Sequence, residues 1–381
     1  MDKKTNRQDE ISAFVGMNRY NRHIILSDIG QAGQDKLLNA KVLVVGAGGL
    51  GCPILQYLAA AGIGTLGIID FDVVEMSNLQ RQVLFGTSSL GENKAEAAKK
   101  RLEDLNNDIL IIAYPERLTY QNAIDLCNEY DIIVDGSDNF ETRYLVNDAC
   151  IITNKPLVFG AIYKFEGQVS VFNYQNGPSY RCLFPNPPQK DTAPNCSEIG
   201  VLGVLPGIIG SMQANEVLKI ILGIGNVLSG KLFCYNALTS QTSTLKINKS
   251  EEQIELVLKE KHNFKKRQLE IDCEFQSDDI SIEDVLNFEN IQFIDVREAH
   301  EQPKVDGLKI THIPLNQLEN NLEKIDLSKQ KMIICQSGMR SKQAVSLLRN
   351  SGILNCYSIK EGALDIIEIL NKKHKATTND R

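Results

Sequence analysis

Apolar residues in the first half of the chain form short runs that alternate with amphipathic stretches. The run Lys41–Val45 precedes a glycine-rich turn, a helical stretch (PILQYLAAAG) and a second apolar run at Thr65–Asp70. This order of strand, turn, helix and strand predicts a βαβ unit with parallel strands. One further helix and three further strands are predicted at Lys94–Leu105, Ile109–Ala113, Ile132–Asp135 and Leu157–Phe159. The first half therefore predicts a doubly wound, Rossmann-like α/β domain.

The second half of the chain predicts a loop, a linker and a smaller α/β domain. Leu183–Ser197 is rich in proline and polar residues and predicts a long mobile loop, of the kind that often forms a lid or a binding segment. After an apolar helix, strands at Lys231–Tyr235 and Thr242–Ile247 complete the first domain. The highly charged segment that follows contains one amphipathic stretch (EEQIELVLKEK) and predicts a linker. We expect domains at 1–248 and 277–375, a linker at 249–276 and a disordered tail from Lys375.

Composition and charge narrow the class of protein. The apolar fraction of 43% and the charged fraction of 23% are typical of globular proteins, and 381 residues suffice for two domains. A net charge of −7 argues against general nucleic-acid binding, because phosphate backbones are bound by a surplus of Lys and Arg. The most apolar stretch, Leu202–Gly225, includes Glu216 and Lys219, which disfavours a membrane span. The N-terminus has no apolar signal core, so we expect a cytoplasmic protein.

The glycine-rich turn has the pattern G-x-G-x-x-G at Gly46, Gly48 and Gly51. Glycine lets the backbone approach a phosphate closely, and the helix N-terminus that follows supplies N–H donors and a partial positive charge. Asp70, at the end of the second strand, is placed to accept hydrogen bonds from ribose hydroxyls. These features predict a nucleotide site, and they fit an NAD-dependent dehydrogenase as well as an ATP-using enzyme.

Charged residues after the turn distinguish these two classes. Arg81 lies in a polar segment (SNLQRQ), Lys94 opens a helix, and Asp138 follows a strand in the segment DGSDN. Hydride transfer needs none of them. Arg and Lys neutralise phosphate charge as pyrophosphate leaves, and a carboxylate holds Mg²⁺ between phosphate oxygens. The pattern therefore favours ATP chemistry.

Residues 15–248 resemble the MoeB/ThiF family, the bacterial relatives of ubiquitin-activating enzymes. The resemblance rests on the segments RYNRH, GAGGLG, DFDVVEMSNLQRQ, GENK and DGSDN, which occur in the family's order. It implies that Asp70 binds ribose, that Asp138 holds Mg²⁺, and that Arg22 reaches the phosphates from the neighbouring protomer of a homodimer. The ATP-binding set that it implies is Gly46, Gly48, Gly49, Asp70, Ser77, Asn78, Arg81, Lys94, Asp138 and Asn139. Arg22 and Arg81 are its candidate catalytic arginines.

The second domain contains a cysteine in a loop that suits sulfur transfer. Cys335 follows an apolar run and begins the loop CQSGMR, which precedes a helical stretch. Backbone N–H groups and Arg340 around the thiol would form an anion cradle that stabilises a thiolate and a persulfide. Together with FIDVRE at 293–298 and IPL at 313–315, this loop makes residues 280–373 resemble a single-domain rhodanese. The resemblance implies that Cys335 carries the persulfide and that Arg340 assists it.

Two more cysteines bear on the chemistry that the resemblance implies. Cys196 lies in the proline-rich loop, where the family uses a cysteine for a covalent bond to the activated partner or for sulfur relay; a spectator thiol is the alternative. Many members bind a structural zinc through two C-x-x-C pairs, one of which ends at the position of Cys182. Here Ser179 stands at the partner position and the nine cysteines form no C-x-x-C pair, so we expect no zinc.

The combined resemblance implies a reaction and its partners. The terminal glycine carboxylate of a small ubiquitin-like sulfur carrier ending in Gly-Gly would attack the α-phosphate of ATP, giving an acyl-adenylate and pyrophosphate. The persulfide would then deliver sulfur that comes from a cysteine desulfurase or from thiosulfate. Such carriers serve molybdenum-cofactor or thiamine biosynthesis, and fusion to a rhodanese domain favours the former. The alternatives are tRNA thiolation by the same chemistry, an NAD-dependent dehydrogenase and a non-catalytic scaffold.

Overall fold

The computed structural model describes residues 19–187, 200–267, 279–286, 290–336, 338–351, 353 and 355–379. The chain divides into two compact units, Met1–Leu269 and Glu270–Arg381. Each unit contains one sheet with an apolar core on both of its faces. The predicted fold class, two successive α/β domains, is confirmed.

The described part of the first unit is built on an eight-stranded sheet. Its strands are β1 (Lys41–Val45), β2 (Thr65–Ile69), β3 (Leu110–Tyr114), β4 (Ile132–Asp135), β5 (Leu157–Tyr163), β6 (Glu166–Phe172), β7 (Lys231–Asn236) and β8 (Thr242–Lys246). They lie in the order β3-β2-β1-β4-β5-β6-β7-β8. The neighbours in the first part of this order, β3-β2-β1-β4-β5, pair in parallel. The neighbours in the second part, β5-β6-β7-β8, pair antiparallel.

Helices cover both faces of this sheet. They are α1 (Asn21–Ile24), α2 (Gly30–Asn39), α3 (Gly51–Ala61), α4 (Lys94–Leu105), α5 (Ala123–Glu129), α6 (Phe140–Thr153), α7 (Tyr180–Leu183), α8 (Val204–Leu222) and α9 (Glu251–Lys259). Short 3₁₀ helices lie at Met76–Asn78, Thr87–Ser89 and Lys261–Lys266. Helices α3, α4 and α8 pack into one core and α5 and α6 into the other. Within the described ranges, no helix combines the length and the apolar character that crossing a bilayer requires.

The burial of β1 explains why its apolar run could be recognised as a strand from the sequence. Val42 and Val44 pack into the core that contains α3, whereas Leu43 and Val45 pack into the core that contains α5 and α6. A parallel strand that is buried on both faces has a continuous apolar run rather than an alternating one. The segment KVLVV is such a run.

The strand order changes direction beside β1. The chain proceeds from β1 outward to β2 and β3, and it then returns to place β4 and β5 on the other side of β1. In open α/β sheets, ligands bind outside the carboxyl ends of the strands at this switch point. The glycine turn follows β1, Asp70 follows β2, and the loop with Asp138 follows β4. The topology therefore brings three predicted site segments to one edge of the sheet.

The predicted linker, 249–276, differs from the structure in its first part. Ser250 caps α9 by accepting a hydrogen bond from the Gln253 N–H, 3.4 Å away. Val257 and Phe264 are buried in the core beside α5 and α6, and the Phe264 ring lies edge-on to Tyr120 with centroids 5.0 Å apart. Charge dominates the composition of this segment, but its few apolar side chains face one way and pack. Residues 249–267 therefore belong to the first unit.

This packing has a measurable consequence for stability. Phe264→Ala would remove a buried ring and leave a cavity, and we expect it to lower the free energy of unfolding of the first unit by about 3–5 kcal/mol. Leu256→Ala on the exposed side of α9 is the matched control and should change it by less than about 0.5 kcal/mol. Urea unfolding followed by circular dichroism measures both. Similar small effects of the two variants would show that residues 249–267 behave as a linker.

The second unit has a smaller sheet whose paired strands are all parallel. Among the described residues its strands are β9 (Asp279–Ile280), β10 (Ile291–Asp295), β11 (Ile310–His312), β12 (Gln330–Ile334) and β13 (Cys356–Ile359), in the order β11-β10-β12-β13-β9. Its helices are α10 (Ile282–Val285), α11 (Met339–Asn350) and α12 (Ala363–Asn379), with 3₁₀ turns at Leu315–Gln317 and Glu319–Lys324. Helix α11 packs on one face, and α10 and α12 pack on the other.

The tail prediction was wrong for most of its length. Disorder was expected from Lys375, whereas α12 continues to Asn379. Ile366 and Leu370 anchor the helix in the core, and once a helix is nucleated each added residue without glycine or proline extends it at little cost.

Candidate functional site

The glycine turn between β1 and α3 leaves no room for side chains at two of its positions. Gly46 has a positive φ of 92°, and a Cβ there would lie 3.1 Å from the Gly136 carbonyl oxygen. A Cβ on Gly51 would overlap the Gly46 carbonyl oxygen. Gly48 differs, because the nearest atom to its missing Cβ is the Gln82 amide nitrogen at 3.8 Å. The turn is closed toward the protein and open at Gly48, as a phosphate approach requires.

Asp70 is held at the end of β2 by the turn itself. Its carboxylate accepts hydrogen bonds from the Ala47 N–H at 2.7 Å and the Asp72 N–H at 2.9 Å, and the residue is 9% exposed. Burial raises the pKa of this carboxyl, while the nearby Lys94 ammonium acts in the opposite direction. The carboxylate is therefore fixed in position, with its remaining lone pairs available for a ribose.

Lys94 is a buried lysine at the start of α4. Its ammonium lies 3.0 Å from Asp72, whose side chain is half exposed. Asn93 caps α4 and also donates to the carbonyl oxygens of Asp70 at 3.0 Å and Asp72 at 3.2 Å. Asp72 and Asn93 lie in two of the family motifs, but the sequence alone did not indicate a role for either residue. The structure shows that they hold Lys94 beside Asp70.

The SNLQRQ segment lies beside the glycine turn. Asn78 is buried in the 3₁₀ helix and accepts a hydrogen bond from the Glu75 N–H at 3.2 Å. Ser77 donates to the Glu75 carboxylate at 3.2 Å. Arg81 donates to the Ser77 carbonyl at 3.1 Å, and its Cγ would lie 3.6 Å from a Cβ on Gly49. The structure therefore places the Arg81 side chain next to the turn.

Asp138 and Asn139 have different surroundings although they are neighbours. Asn139, not Asp138, is the N-cap of α6, and its side-chain oxygen accepts from the Thr142 N–H at 2.9 Å. Asp138 is exposed, and within the described ranges its carboxylate has no protein hydrogen bond or ion pair. Mg²⁺ is usually bound by one or two carboxylates together with substrate phosphates. An unengaged carboxylate at the switch point fits that requirement.

Two predicted catalytic residues cannot be placed in this site. Arg22 is exposed on the short helix α1, and its predicted role requires a second protomer. Cys196 lies outside the described residues, as does most of the proline-rich loop.

The second unit presents its thiol at the end of β12. Cys335 has 0% exposure, and its Sγ donates to the Ser341 hydroxyl at 3.4 Å. The Ser341 hydroxyl in turn donates to the Gly338 carbonyl at 2.9 Å and lies 2.8 Å from the Ser358 hydroxyl. Gly338, with a positive φ of 80°, turns the loop into α11. The thiol therefore sits at the N-terminal end of a helix, where the helix dipole favours a negative charge.

Two ion pairs support the loop that begins at Cys335. Arg340 forms a bidentate pair with Glu301, with both N···O distances at 2.6 Å. Arg297 is buried, pairs with Asp295 at 2.8 Å, and donates to the Gln336 side chain at 3.0 Å. Sequence reasoning named Arg340 but missed Glu301, whose only signal is its place shortly after FIDVRE. The loop is thus held by two charged residues, Arg297 and Glu301, that lie more than thirty positions earlier in the chain.

The pair between Arg340 and Glu301 predicts a pH dependence. The hydrogen bonds from Arg340 lower the pKa of Glu301 from 4.5 to about 2. A carboxyl with a lowered pKa in the folded state contributes stability that is complete above its unfolded pKa and is lost as the pH falls toward its folded pKa. We therefore expect the second unit to lose stability between pH 4.5 and about 2, and Glu301→Gln to reduce this loss. Thermal unfolding across that range tests it; identical pH profiles of both proteins would contradict the assignment.

The surroundings of Cys182 do not fit a zinc site. Its Sγ accepts hydrogen bonds from the backbone N–H groups of Ser179 and Ser250, both at 3.3 Å, and lies 3.4 Å from the Ser179 hydroxyl. A structural zinc needs four ligands, usually Cys thiolates and His. One thiol surrounded by serines offers a single such ligand. Absence of zinc stays a prediction that metal analysis of the protein can test.

The remaining cysteines of the described ranges are enclosed by the protein. Cys52, Cys127, Cys150 and Cys356 are buried, and Cys234 is partly buried. Burial raises the pKa of Cys52 to about 12, which disfavours the reactive thiolate. Cys273 lies outside the described residues.

Comparison with known proteins identifies relatives along most of the chain. The ThiF family matches residues 20–256. The "Sulfur carrier protein adenylyltransferase" of Thermus thermophilus is 52% identical over 239 residues, which cover 61% of this chain and 88% of that protein. The "Probable adenylyltransferase/sulfurtransferase MoeZ" of Mycobacterium tuberculosis is 39% identical over 90% of this chain and 91% of its own length. The "Probable molybdopterin-synthase adenylyltransferase" of Pyropia yezoensis is 42% identical over 91% and 95%.

A solved structure shares the fold over more than half of the chain. The crystal structure of E. coli MccB with ATP superposes with a TM-score of 0.51 at 25% identity. The match covers 57% of this chain and 66% of that chain.

Proposed function

The chain belongs to the ThiF family, and we propose that it adenylates the terminal glycine of a small ubiquitin-like sulfur carrier and then transfers sulfur to it through a persulfide on Cys335. One observation carries the first step. The glycine turn, Asp70 and Asp138 follow three adjacent strands at the switch point, and Lys94 is held beside Asp70. A dehydrogenase needs a glycine turn and a carboxylate such as Asp70, but it needs neither Asp138 nor Lys94.

The adenylation step follows from the charges at this edge. Asp70 accepts hydrogen bonds from the ribose, while N–H groups of the glycine turn approach the phosphates. A carrier carboxylate oxygen attacks the α-phosphorus, and the bond to the bridging oxygen breaks with its electron pair leaving on pyrophosphate. Arg81 and Lys94 neutralise that charge. Asp138 would hold Mg²⁺, which would supply further neutralisation of the phosphate charge when bound.

Lys94 requires one change on binding. Its ammonium pairs with Asp72 in the free protein, so phosphates compete with a half-exposed carboxylate for it. The Asp72 carboxylate of this pair is half exposed, so solvent weakens its attraction for the buried ammonium, and a multiply charged phosphate competes with it. Asp72 thereby keeps Lys94 extended toward the site until ATP arrives.

The sulfur step uses the second unit. A persulfide on Cys335 attacks the carbonyl carbon of the acyl-adenylate and expels AMP, which leaves the carrier joined to Cys335 through an acyl disulfide. A second thiolate then attacks the Cys335 sulfur, forms a disulfide with it and releases the carrier as a thiocarboxylate, and an external thiol reduces the new disulfide before the next cycle. Cys196 is our candidate for the second thiolate or for an earlier covalent bond to the carrier. Arg340 assists by holding the loop around Cys335 through its pair with Glu301.

The partners follow from the same scheme. The proposed carrier ends in Gly-Gly, as the resemblance to the family implies. A cysteine desulfurase or thiosulfate supplies the sulfur, and a homodimer brings Arg22 to the neighbouring site. One relative is named as a probable molybdopterin-synthase adenylyltransferase and matches this chain over 95% of its own length, which favours molybdenum-cofactor biosynthesis as the pathway.

Carrier-dependent ATP–pyrophosphate exchange tests the proposal. We expect labelled pyrophosphate to enter ATP when a Gly-Gly-ending sulfur carrier is present. The same carrier without its last two glycines is the control and should support none, because the attacking carboxylate is displaced. Exchange that is equal with both carriers, or absent with every carrier from the three pathways, would contradict the proposed function.

A further inference from the structure

The loop Gly136–Asp138 connects β4 to α6 and carries the carboxylate that we assign to Mg²⁺. It begins directly after Asp135, the last residue of β4, and it ends at the cap of α6. Asp138 itself is exposed and is not held by other described side chains. Its position therefore depends on what holds the backbone of Gly136 and Ser137.

That backbone is fixed from three directions. The Asp135 carboxylate accepts hydrogen bonds from the Ser137 N–H at 2.9 Å and from the Ser137 hydroxyl at 2.6 Å. Arg143, one turn into α6, donates to the Ser137 carbonyl at 3.4 Å. The Gly136 N–H donates to the Val45 carbonyl at 2.8 Å. Both polar backbone groups of Ser137 are thus engaged by charged side chains.

The loop also touches the glycine turn. A Cβ on Gly136 would lie 3.1 Å from the carbonyl oxygens of both Gly46 and Val45. The phosphate-approaching turn and the loop with Asp138 are therefore packed backbone to backbone. A shift of Ser137 would change the distance between Asp138 and the turn.

Asp135 and Arg143 are an unusual pair for a purely structural role. They are 1% and 8% exposed, and the guanidinium acts electrostatically on the carboxyl. Yet Oδ2 of Asp135 and Nε of Arg143 have no hydrogen-bond partner within the described structure. Buried charges with unmade hydrogen bonds are weak evidence for stability, since apolar replacements are often neutral or stabilising. Local features that lower stability are expected where function requires them.

We propose that Asp135 and Arg143 are positioning residues for adenylation: by fixing Ser137 they hold the Asp138 carboxylate at the distance from the glycine turn that a metal-bound triphosphate needs. The inference rests on the proposed function, and it adds two residues that touch neither nucleotide nor metal. Partners that orient a metal ligand usually change metal affinity about 10–100-fold when they are altered.

Calorimetric binding of ATP, with and without Mg²⁺, tests this role. We expect Asp135→Asn to weaken the Mg²⁺-dependent gain in ATP affinity at least about 10-fold while affinity without Mg²⁺ stays within about twofold. Ser137→Ala loses one hydrogen bond and should show a smaller loss of the same kind. Asp148→Asn is the matched control, because Asp148 is an equally buried acid on α6 that pairs with Arg181 at 2.7 Å. It should lower the melting temperature without changing the Mg²⁺ response.

Asp138→Ala separates failure of this inference from failure of the proposed function. If Asp138→Ala loses the Mg²⁺ response but Asp135→Asn and Ser137→Ala keep it, the positioning role is overturned and the metal assignment stands. If Asp138→Ala keeps the response, both are overturned. Should Asp135→Asn fail to fold, the Mg²⁺ response of Ser137→Ala decides the question, and a wild-type response overturns the inference.

Discussion

Asp138→Ala is expected to reduce carrier-dependent ATP–pyrophosphate exchange by about 10²–10³-fold, the usual effect of removing one group that stabilises transition-state charge. The reason is electrostatic. Pyrophosphate leaves with several negative charges, and Arg81 and Lys94 alone do not neutralise them. Because Asp138 is exposed and makes no hydrogen bond or ion pair within the described ranges, its removal should leave the melting temperature unchanged.

Asp131→Ala is the matched control for this prediction. Asp131 is an exposed acid that precedes the same strand, β4, and accepts a hydrogen bond from the Lys41 N–H at 2.9 Å. It therefore lies at the amino edge of the sheet, away from the switch point. Exchange should survive in Asp131→Ala, and near-normal exchange in Asp138→Ala would refute the metal assignment.

Cys335→Ala is expected to abolish thiosulfate:cyanide sulfurtransferase activity while leaving ATP–pyrophosphate exchange intact. No other side chain in the CQSGMR loop has a thiol that could carry a persulfide, so the loss of activity should be complete rather than partial. Exchange should survive, because Cys335 belongs to the second compact unit and the nucleotide residues belong to the first. Both activities are measured on the full chain in parallel.

Cys356→Ala provides the control for loss of a buried thiol in the same core. Cys356 is also 0% exposed and packs in one cluster with Cys335, and its Sγ donates to the Ile353 carbonyl at 3.1 Å. Sulfurtransferase activity should persist in this variant despite lower stability. Residual activity in Cys335→Ala, or equal loss in both variants, would show that the persulfide is carried elsewhere.

Local patterns were enough to predict much of this protein. Apolar runs that are buried on both faces marked β1 and β4, and glycine positions with no space for a side chain marked the phosphate turn. Motif order along the chain then distinguished ATP chemistry from hydride transfer, because Arg81 and Lys94 have no use in the latter. Such inferences succeed because strand burial and backbone conformation are set by residues close in sequence.

Local composition misled in two places. The charged segment from Lys249 predicted a linker, but its sparse apolar side chains pack into the first core. The polar tail predicted disorder, but α12 extends into it as far as Asn379. In both cases apolar side chains that contact distant residues outweighed the local preference.

The sequence by itself determined which residue types this chain brings to its proposed chemistry: the glycines, the cations proposed to bind phosphate, the exposed carboxylate and the loop thiol. Only the tertiary structure decided which of them meet and what holds them. The strand order puts Gly46 and Asp138 on either side of one switch point, and partners such as Asp72, Arg143 and Glu301 orient the charges. The physical reason is that hydrogen bonds and ion pairs depend on distances in space, which separation along the chain does not specify.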